Sequence, residues 1–433
     1  MRIEPDGMVG AIIASESLGL TNTMINGAGG CRSRAQIMMH DLIPSYYPEN
    51  QKCCRSKYFS RQSRLPCTYL NNDDIIFGTA VKVADGIESV TRVTGKRTLL
   101  LDTLGASLIC TDYSGLTGSE ETDPIFVQSD LSGMSISEGY DTVVSAILSS
   151  VKMEEGKDHS VNLLGYGLMD VGWEAGADEL CSLLEAMGIR VNCVLGCIPS
   201  KEEILSLPKA ELNVLVHPEY SIRTAEMLKE RYGTEYLRPS KGAPVGYPVL
   251  RSFVKEVAER MGTDPAPALK IIDKDAEFVH RRLMNFDRMP FGLHSKGFVI
   301  EGDSSVAYPL TVWMMETFGM SPRHIKVTDE EYLPEIREYL DYCGFSDALM
   351  GIPGDVELYF VDGMKALQGR YESTTAGYVE IRIPRGRFFD LLDRTLVGTK
   401  GCRYILDEVF NGIRRFRCGQ PTEVEYRPGY KEE

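Results

Sequence analysis

Three times along its 433 residues this chain runs from an apolar stretch through a glycine turn into an amphipathic segment. The first copy covers Thr98 to about Ser114 and is followed by the amphipathic segment Glu138–Ser149. The second is Ser160–Met169, then Ala175–Met187 and Arg190–Leu195, continuing through Leu212–Val216 into Ile222–Tyr232. The third is Gly297–Ser305, then Tyr308–Phe318 and His324–Val327. Short apolar runs that alternate with helical periodicity predict βα units, and βα units in series predict parallel sheets covered by helices on both faces. Ligands of such sheets gather at the carboxyl ends of the strands. The pattern breaks near Glu154–Asp158 and again near Asp287–Gly297. These breaks divide the chain into candidate domains at 1–157, 158–290 and 291–433.

Composition limits the setting. A hydrophobic fraction of 43% and a charged fraction of 25% belong to a globular protein, and a formal charge of −15 disfavours non-specific nucleic-acid binding. No apolar run reaches the roughly 18 residues of a membrane span, and Met1-Arg-Ile-Glu-Pro-Asp has no signal-peptide pattern, so neither nucleic acid nor membrane is an expected partner. Eleven cysteines without an export signal suggest a reducing, cytoplasmic and anaerobic setting in which thiols are free, metal-bound or catalytic.

Three of those cysteines sit at turns. Cys31 ends Asn26-Gly-Ala-Gly-Gly-Cys31, Cys67 lies in Leu65-Pro-Cys67-Thr-Tyr, and Cys110 closes the apolar run that begins at Thr98. None belongs to a Cys-x-x-Cys pair, which argues against zinc fingers and thioredoxin-type redox pairs. Glycines 27, 29 and 30 let backbone approach a cluster and point N–H groups at sulfur. Read from the residues, two alternatives stand: ligands of an iron–sulfur cluster, or buried small apolar side chains.

Several segments resemble the component 1 proteins of nitrogenase and their nitrogenase-like relatives. Gly27-Ala-Gly-Gly-Cys31, following the helix-like segment Met8–Met24, is similar to that family's first ligand turn, Leu65-Pro-Cys67 with Asp73–Gly78 to its second, and Ile109-Cys110-Thr-Asp-Tyr-Ser-Gly to its third. Ala210–His217 through Gly233, Gly302-Asp303, and Val379–Pro384 through Gly401 to Asn411 extend the likeness in order along nearly the whole chain. The resemblance implies three Rossmann-like α/β domains with parallel sheets around a central cleft. It implies that Cys31, Cys67 and Cys110 ligate a [4Fe–4S] or larger P-cluster-like group shared with a second component 1 subunit. It also implies an ATP-dependent iron protein that supplies low-potential electrons. This chain has no Gly-x-x-x-x-Gly-Lys-Ser/Thr motif for hydrolysing ATP itself. The alternative role is a non-catalytic β-type subunit or a scaffold for cluster assembly.

The departures narrow the expectation. Where the family's catalytic subunit holds a metal cofactor with a cysteine and a histidine, this chain offers His217 and, near the second position, only Arg385, Arg387 or Phe388. His217 is a ligand, a proton donor, a substrate or partner contact, or a satisfied strand-end histidine. The insertion 43–64 carries Cys53, Cys54, Arg55, Arg61 and Arg64. Cys54 is an additional candidate ligand, and the arginines are either an anion or partner site or a solvated loop.

Overall fold

The computed structural model describes residues 4–39, 42, 65–116, 122–127, 130–284, 292–372, 376–386 and 392–418. Among these residues eleven strands form three sheets, and every strand pair is parallel. The first sheet, in the order β1-β2-β3, contains β1 (Thr21–Asn26), β2 (Arg97–Asp102) and β3 (Ile125–Phe126). Around it lie α1 (Gly7–Leu18), α2 (Gly29–Met39), α3 (Asn72–Phe77), α4 (Ala80–Thr94), α5 (Leu104–Ser107) and α6 (Ile136–Ser149). The second, β5-β4-β6-β7, is built from β4 (Asp158–Gly167), β5 (Arg190–Gly196), β6 (Ala210–Leu215) and β7 (Glu235–Leu237). Its helices are α7 (Trp173–Ala186), α8 (Lys201–Leu205) and α9 (Ile222–Tyr232), followed by α10 (Tyr247–Met261) and α11 (Ala266–Leu283). The third, β11-β10-β8-β9, holds β8 (Gly297–Gly302), β9 (Ser321–Val327), β10 (Leu358–Asp362) and β11 (Gly377–Arg382). It alternates with α12 (Ser304–Phe318), α13 (Leu333–Cys343) and α14 (Gly363–Glu372) and ends in α15 (Gly398–Cys418).

Local chemistry accounts for the elements. β4 is buried from Ser160 to Gly167, as expected of a strand covered by helices on both faces, so its apolar residues run continuously instead of alternating. Ser135 and Glu138 form a reciprocal capping box at the start of α6, and Gly233 in the left-handed region, φ +68°, ends α9. The backbones of α1 and α6 touch where they cross. A Cβ on Gly10 would lie 2.0 Å from the Ile136 carbonyl oxygen, and one on Gly139 would lie 2.1 Å from that of Gly7.

The sheets share their cores. One apolar core joins the second and third sheets and includes Leu180 and Leu184 of α7 with Ile405 and Val409 of α15. A second core joins α1, α6 and the first sheet to Leu164, Leu195 and Leu215 of the second. Although α15 follows the third sheet in sequence, it packs on α7, α10 and α11 as well as β11. The Glu179 carboxylate of α7 accepts the Thr399 N–H at 2.8 Å, capping the start of α15.

Two sequence expectations are corrected. Met8–Met24 is not one helix-like segment but α1 followed by most of β1. The run Thr98–Cys110 likewise divides at Thr103, where β2 gives way to α5, so Cys110 ends a helical turn and not a strand. Among the described residues no helix is long and apolar enough to cross a membrane.

Candidate cluster site and domain junction

Cys31, Cys67 and Cys110 all follow the carboxyl edge of the first sheet. Cys31 lies in the first turn of α2, five residues past the end of β1. Cys67 pairs beside Ile25 on the free edge of β1, held by Ile25 N–H to Pro66 O at 2.9 Å and Thr68 N–H to Ile25 O at 3.0 Å. Cys110 follows β2 through α5 and sits at φ +53°, a left-handed conformation that non-glycine residues adopt mainly under constraint.

Buried Asn26 ties the three turns together. Its side-chain N–H groups donate to Asp102 Oδ1 at 2.8 Å and to Tyr113 Oη at 2.9 Å, and its Oδ1 accepts the Thr68 hydroxyl at 2.8 Å. Its carbonyl accepts the Thr103 N–H at 3.0 Å, while the Gly27 N–H donates to Thr68 Oγ1 at 3.0 Å. Asn26 precedes the Cys31 turn, Thr68 adjoins Cys67, and Thr103 and Tyr113 bracket Cys110. Gly27 has to be glycine here, because a Cβ would fall 2.5 Å from the Thr103 side chain. Burial and the Asp102 charge push the Tyr113 phenol up to about 12, which keeps it a neutral donor to Asp102.

The cysteine edge suits an iron–sulfur group. Cys31 and Cys110 are exposed and Cys67 is half-buried. The Tyr69 N–H points at Cys67 Sγ from 3.4 Å, the kind of backbone hydrogen bond that supports a cluster thiolate. Burial raises the Cys67 thiol, while that N–H and the charges of Arg32 and Lys82 oppose the rise; Cys31 is close enough to raise it further. Among the described residues no three His, Cys, Asp or Glu side chains converge tightly enough to hold a single metal ion. A cluster spreads its thiolates more widely, over roughly 6–7 Å.

Around this edge the surface is apolar. Phe77 and Leu108 are 83% and 77% exposed, and Tyr69, Ile75, Ile76, Val81 and Leu104 are exposed beside them. A 2.6 Å contact between the Thr79 and Thr111 hydroxyls joins the α3–α4 side of this rim to the α5 side. Cys54, Arg55, Arg61 and Arg64 lie outside the described residues, as do Arg387 and Phe388.

His217 belongs to a different place. It follows β6, where the carboxyl ends of the second and third sheets face each other. Its Nδ1 is 2.6 Å from Ser305 Oγ, and its Nε2 lies 3.0 Å from Asp170 Oδ1 in an ion pair that is not an aligned hydrogen bond. Ser305 donates to Glu219 Oε1 at 2.6 Å, and Tyr220 donates to Asp303 Oδ2 at 3.1 Å. Tyr166 stacks on the imidazole at 6.0 Å between centroids, and the Arg385 guanidinium donates to the Asp170 carbonyl at 3.0 Å. Burial lowers the pKa of His217, but the charge and contact of Asp170, with Glu219 and Asp303, outweigh it and hold the ring at about 9. Burial pushes the Glu219 carboxyl well up, and Asp329 and Asp303 add to that push against the opposing charge of His217. Sequence reading singled out His217 but missed Asp170, Glu219 and Ser305. The available signal was their position just past strand ends.

Three parallel sheets with open carboxyl edges, one of them followed by three cysteines, define an α/β protein of the kind that binds ligands at its strand ends. The sequence model of the nitrogenase component 1 type oxidoreductases matches residues 7–342, and the chain belongs to that family. The solved structure described as nitrogenase Cp1 at pH 6.5 superposes with a TM-score of 0.72 at 18% identity, covering 100% of this chain and 97% of that one. The same protein at pH 5 gives 0.65 at 15% identity, covering 98% of this chain and 92% of that one. Among curated proteins, a light-independent protochlorophyllide reductase subunit of Heliobacterium modesticaldum is 26% identical over 178 residues, 41% of this chain and 34% of its own. The corresponding protein of Rhodospirillum rubrum is 26% identical over 207 residues, 48% of this chain and 36% of its own. The chain thus spans about a third of the length of these relatives.

Proposed function

We propose that this chain is a subunit of a two-component reductase. Cys31, Cys67 and Cys110 would hold an iron–sulfur cluster, [4Fe–4S] or larger, at the contact with a second component 1 subunit. A separate ATP-dependent iron protein would feed it, and the electrons would pass to a substrate in the cleft. The observation that carries this reading is the joining of all three cysteine turns through Asn26 at one apolar, exposed sheet edge. The cluster supplies low-potential one-electron transfer when bound; the chain supplies the thiolates, the Tyr69 N–H that supports one of them, and the apolar rim that excludes water. Three cysteines leave coordination to be completed from elsewhere, which favours an obligate partner burying roughly 2,000 Å² or more. The named reductase relatives favour an unsaturated tetrapyrrole as substrate class.

Anaerobic co-purification with metal analysis and electron paramagnetic resonance tests the assignment. Replacing any one of Cys31, Cys67 or Cys110 by serine is expected to remove iron and the cluster signal. Full retention of iron in all three single variants would refute it. A second reading, a β-type subunit whose partner does the chemistry, draws support from the junction: His217 is engaged with Ser305 and Asp170. A partner subunit carrying its own cofactor ligands would decide for it.

A further inference from the structure

The junction around His217 sets a hydroxyl and two carboxyl groups about one buried imidazole. Ser305 donates to Glu219 Oε1 at 2.6 Å, which leaves its oxygen as an acceptor for a hydrogen on His217 Nδ1. Nε2 faces the Asp170 carboxylate at 3.0 Å and so carries one too. This arrangement favours the imidazolium, and among the described residues Nε2 has no aligned hydrogen-bond acceptor; Asp170 is its charge partner. Glu219 Oε2 is likewise buried without a hydrogen-bond partner. Accessibility runs one way: the His217 side chain is 4% exposed and that of Asp170 is 13% exposed.

We propose that His217 is the proton source of the cleft and that its Nε2 proton leaves through Asp170. In this step the Nε2–H bond breaks, its electron pair stays on nitrogen, and an O–H bond forms at Asp170 Oδ1. Asp170 hands the proton to an acceptor that has just taken up low-potential electrons from the cysteine edge and returns to the carboxylate. Water recharges the imidazole by the reverse path. Ser305 and Glu219 are positioning residues, since they fix Nδ1–H and so direct the mobile proton to Nε2. Tyr166, Tyr220 and Asp303 face the ring as well, and Arg385 and Arg382 flank Asp170 and Tyr220. The inference rests on the electron-transfer reading above, but its test needs neither iron nor substrate.

Histidine-labelled full-length chain is followed by nitrogen-15 NMR. One of the six imidazoles is expected to stay doubly protonated at pH 7.5, and His217→Asn identifies it by removing its signal. Compared at a pH where the ring of each variant is still doubly protonated, Asp170→Asn is expected to slow solvent exchange of that Nε2 proton roughly ten-fold or more, with Asp170→Glu restoring it and the melting curve of each variant confirming a folded chain. A neutral ring at pH 7.5, or exchange unchanged in a folded Asp170→Asn, would overturn the proposal. Loss of iron in the cysteine variants tests the cluster independently, so the two readings fail separately.

Discussion

Asn26 carries more of the candidate site than any of the cysteines it positions. It is fully buried and bonded to residues from all three turns, so replacing it removes one side chain and leaves Asp102, Tyr113 and Thr68 short of partners. Asn26→Leu is expected to cost about 1–3 kcal/mol, measured by denaturant unfolding, and to lower iron retention while all three thiols remain. Unchanged stability would show the turns to be held by their backbone pairing alone. The sequence displayed the cysteines because glycines flank them, but Asn26 looked like an ordinary turn residue. Its role depends on the parallel register that sets it beside Asp102, which no local spacing encodes. The same holds for Asp170, Glu219 and Ser305, which are up to 135 positions apart yet converge on one imidazole, as the contacts at Asp170 and Ser305 show.

At the level of elements, legibility followed burial. β4, α9 and α12 were readable because one face is apolar or the whole run is, whereas α1 is buried on nearly every side and shows no helical period. That burial arises at the α1–α6 crossing, where the glycines admit backbone contact. Gly139→Val is expected to separate the two helices and lower the melting midpoint, with an overpacking cost of about 1–3 kcal/mol or more. The rim elements α3 and α5 predict the opposite. Phe77 and Leu108 are exposed, so Phe77→Asp with Leu108→Asp should leave the isolated chain's melting midpoint within a degree or two while abolishing subunit association by anaerobic sedimentation. Association that survives both charges would move the partner surface elsewhere.

For the molecule as a whole, the junction links stability to pH. The folded chain holds the His217 proton up to about 9, against an ordinary value of 6.5. The stabilisation is therefore complete below about 6.5 and is lost as pH rises through 9, so the melting midpoint should fall across that window and His217→Gln should flatten the fall. Asp141, raised to about 6 by burial against its bonds to Thr224 and Arg223, adds a decline at lower pH, between its ordinary 3.8 and about 6. A melting midpoint that is flat from pH 6.5 to 9 would contradict the charged imidazole. The packing of α15 on α7 has a consequence in time as well as in space. Ribosomes make α7 more than two hundred residues before α15 (Trp173–Ala186 against Gly398–Cys418), yet Leu180 and Leu184 share their core with Ile405 and Val409. The second sheet therefore leaves the exit tunnel with an unfinished side and must wait, sticky and incomplete, until almost the last of the chain has been translated. Arrested nascent chains that stop before residue 398 should bind chaperones and be cut readily by protease within α7, and release of the full-length product should end both.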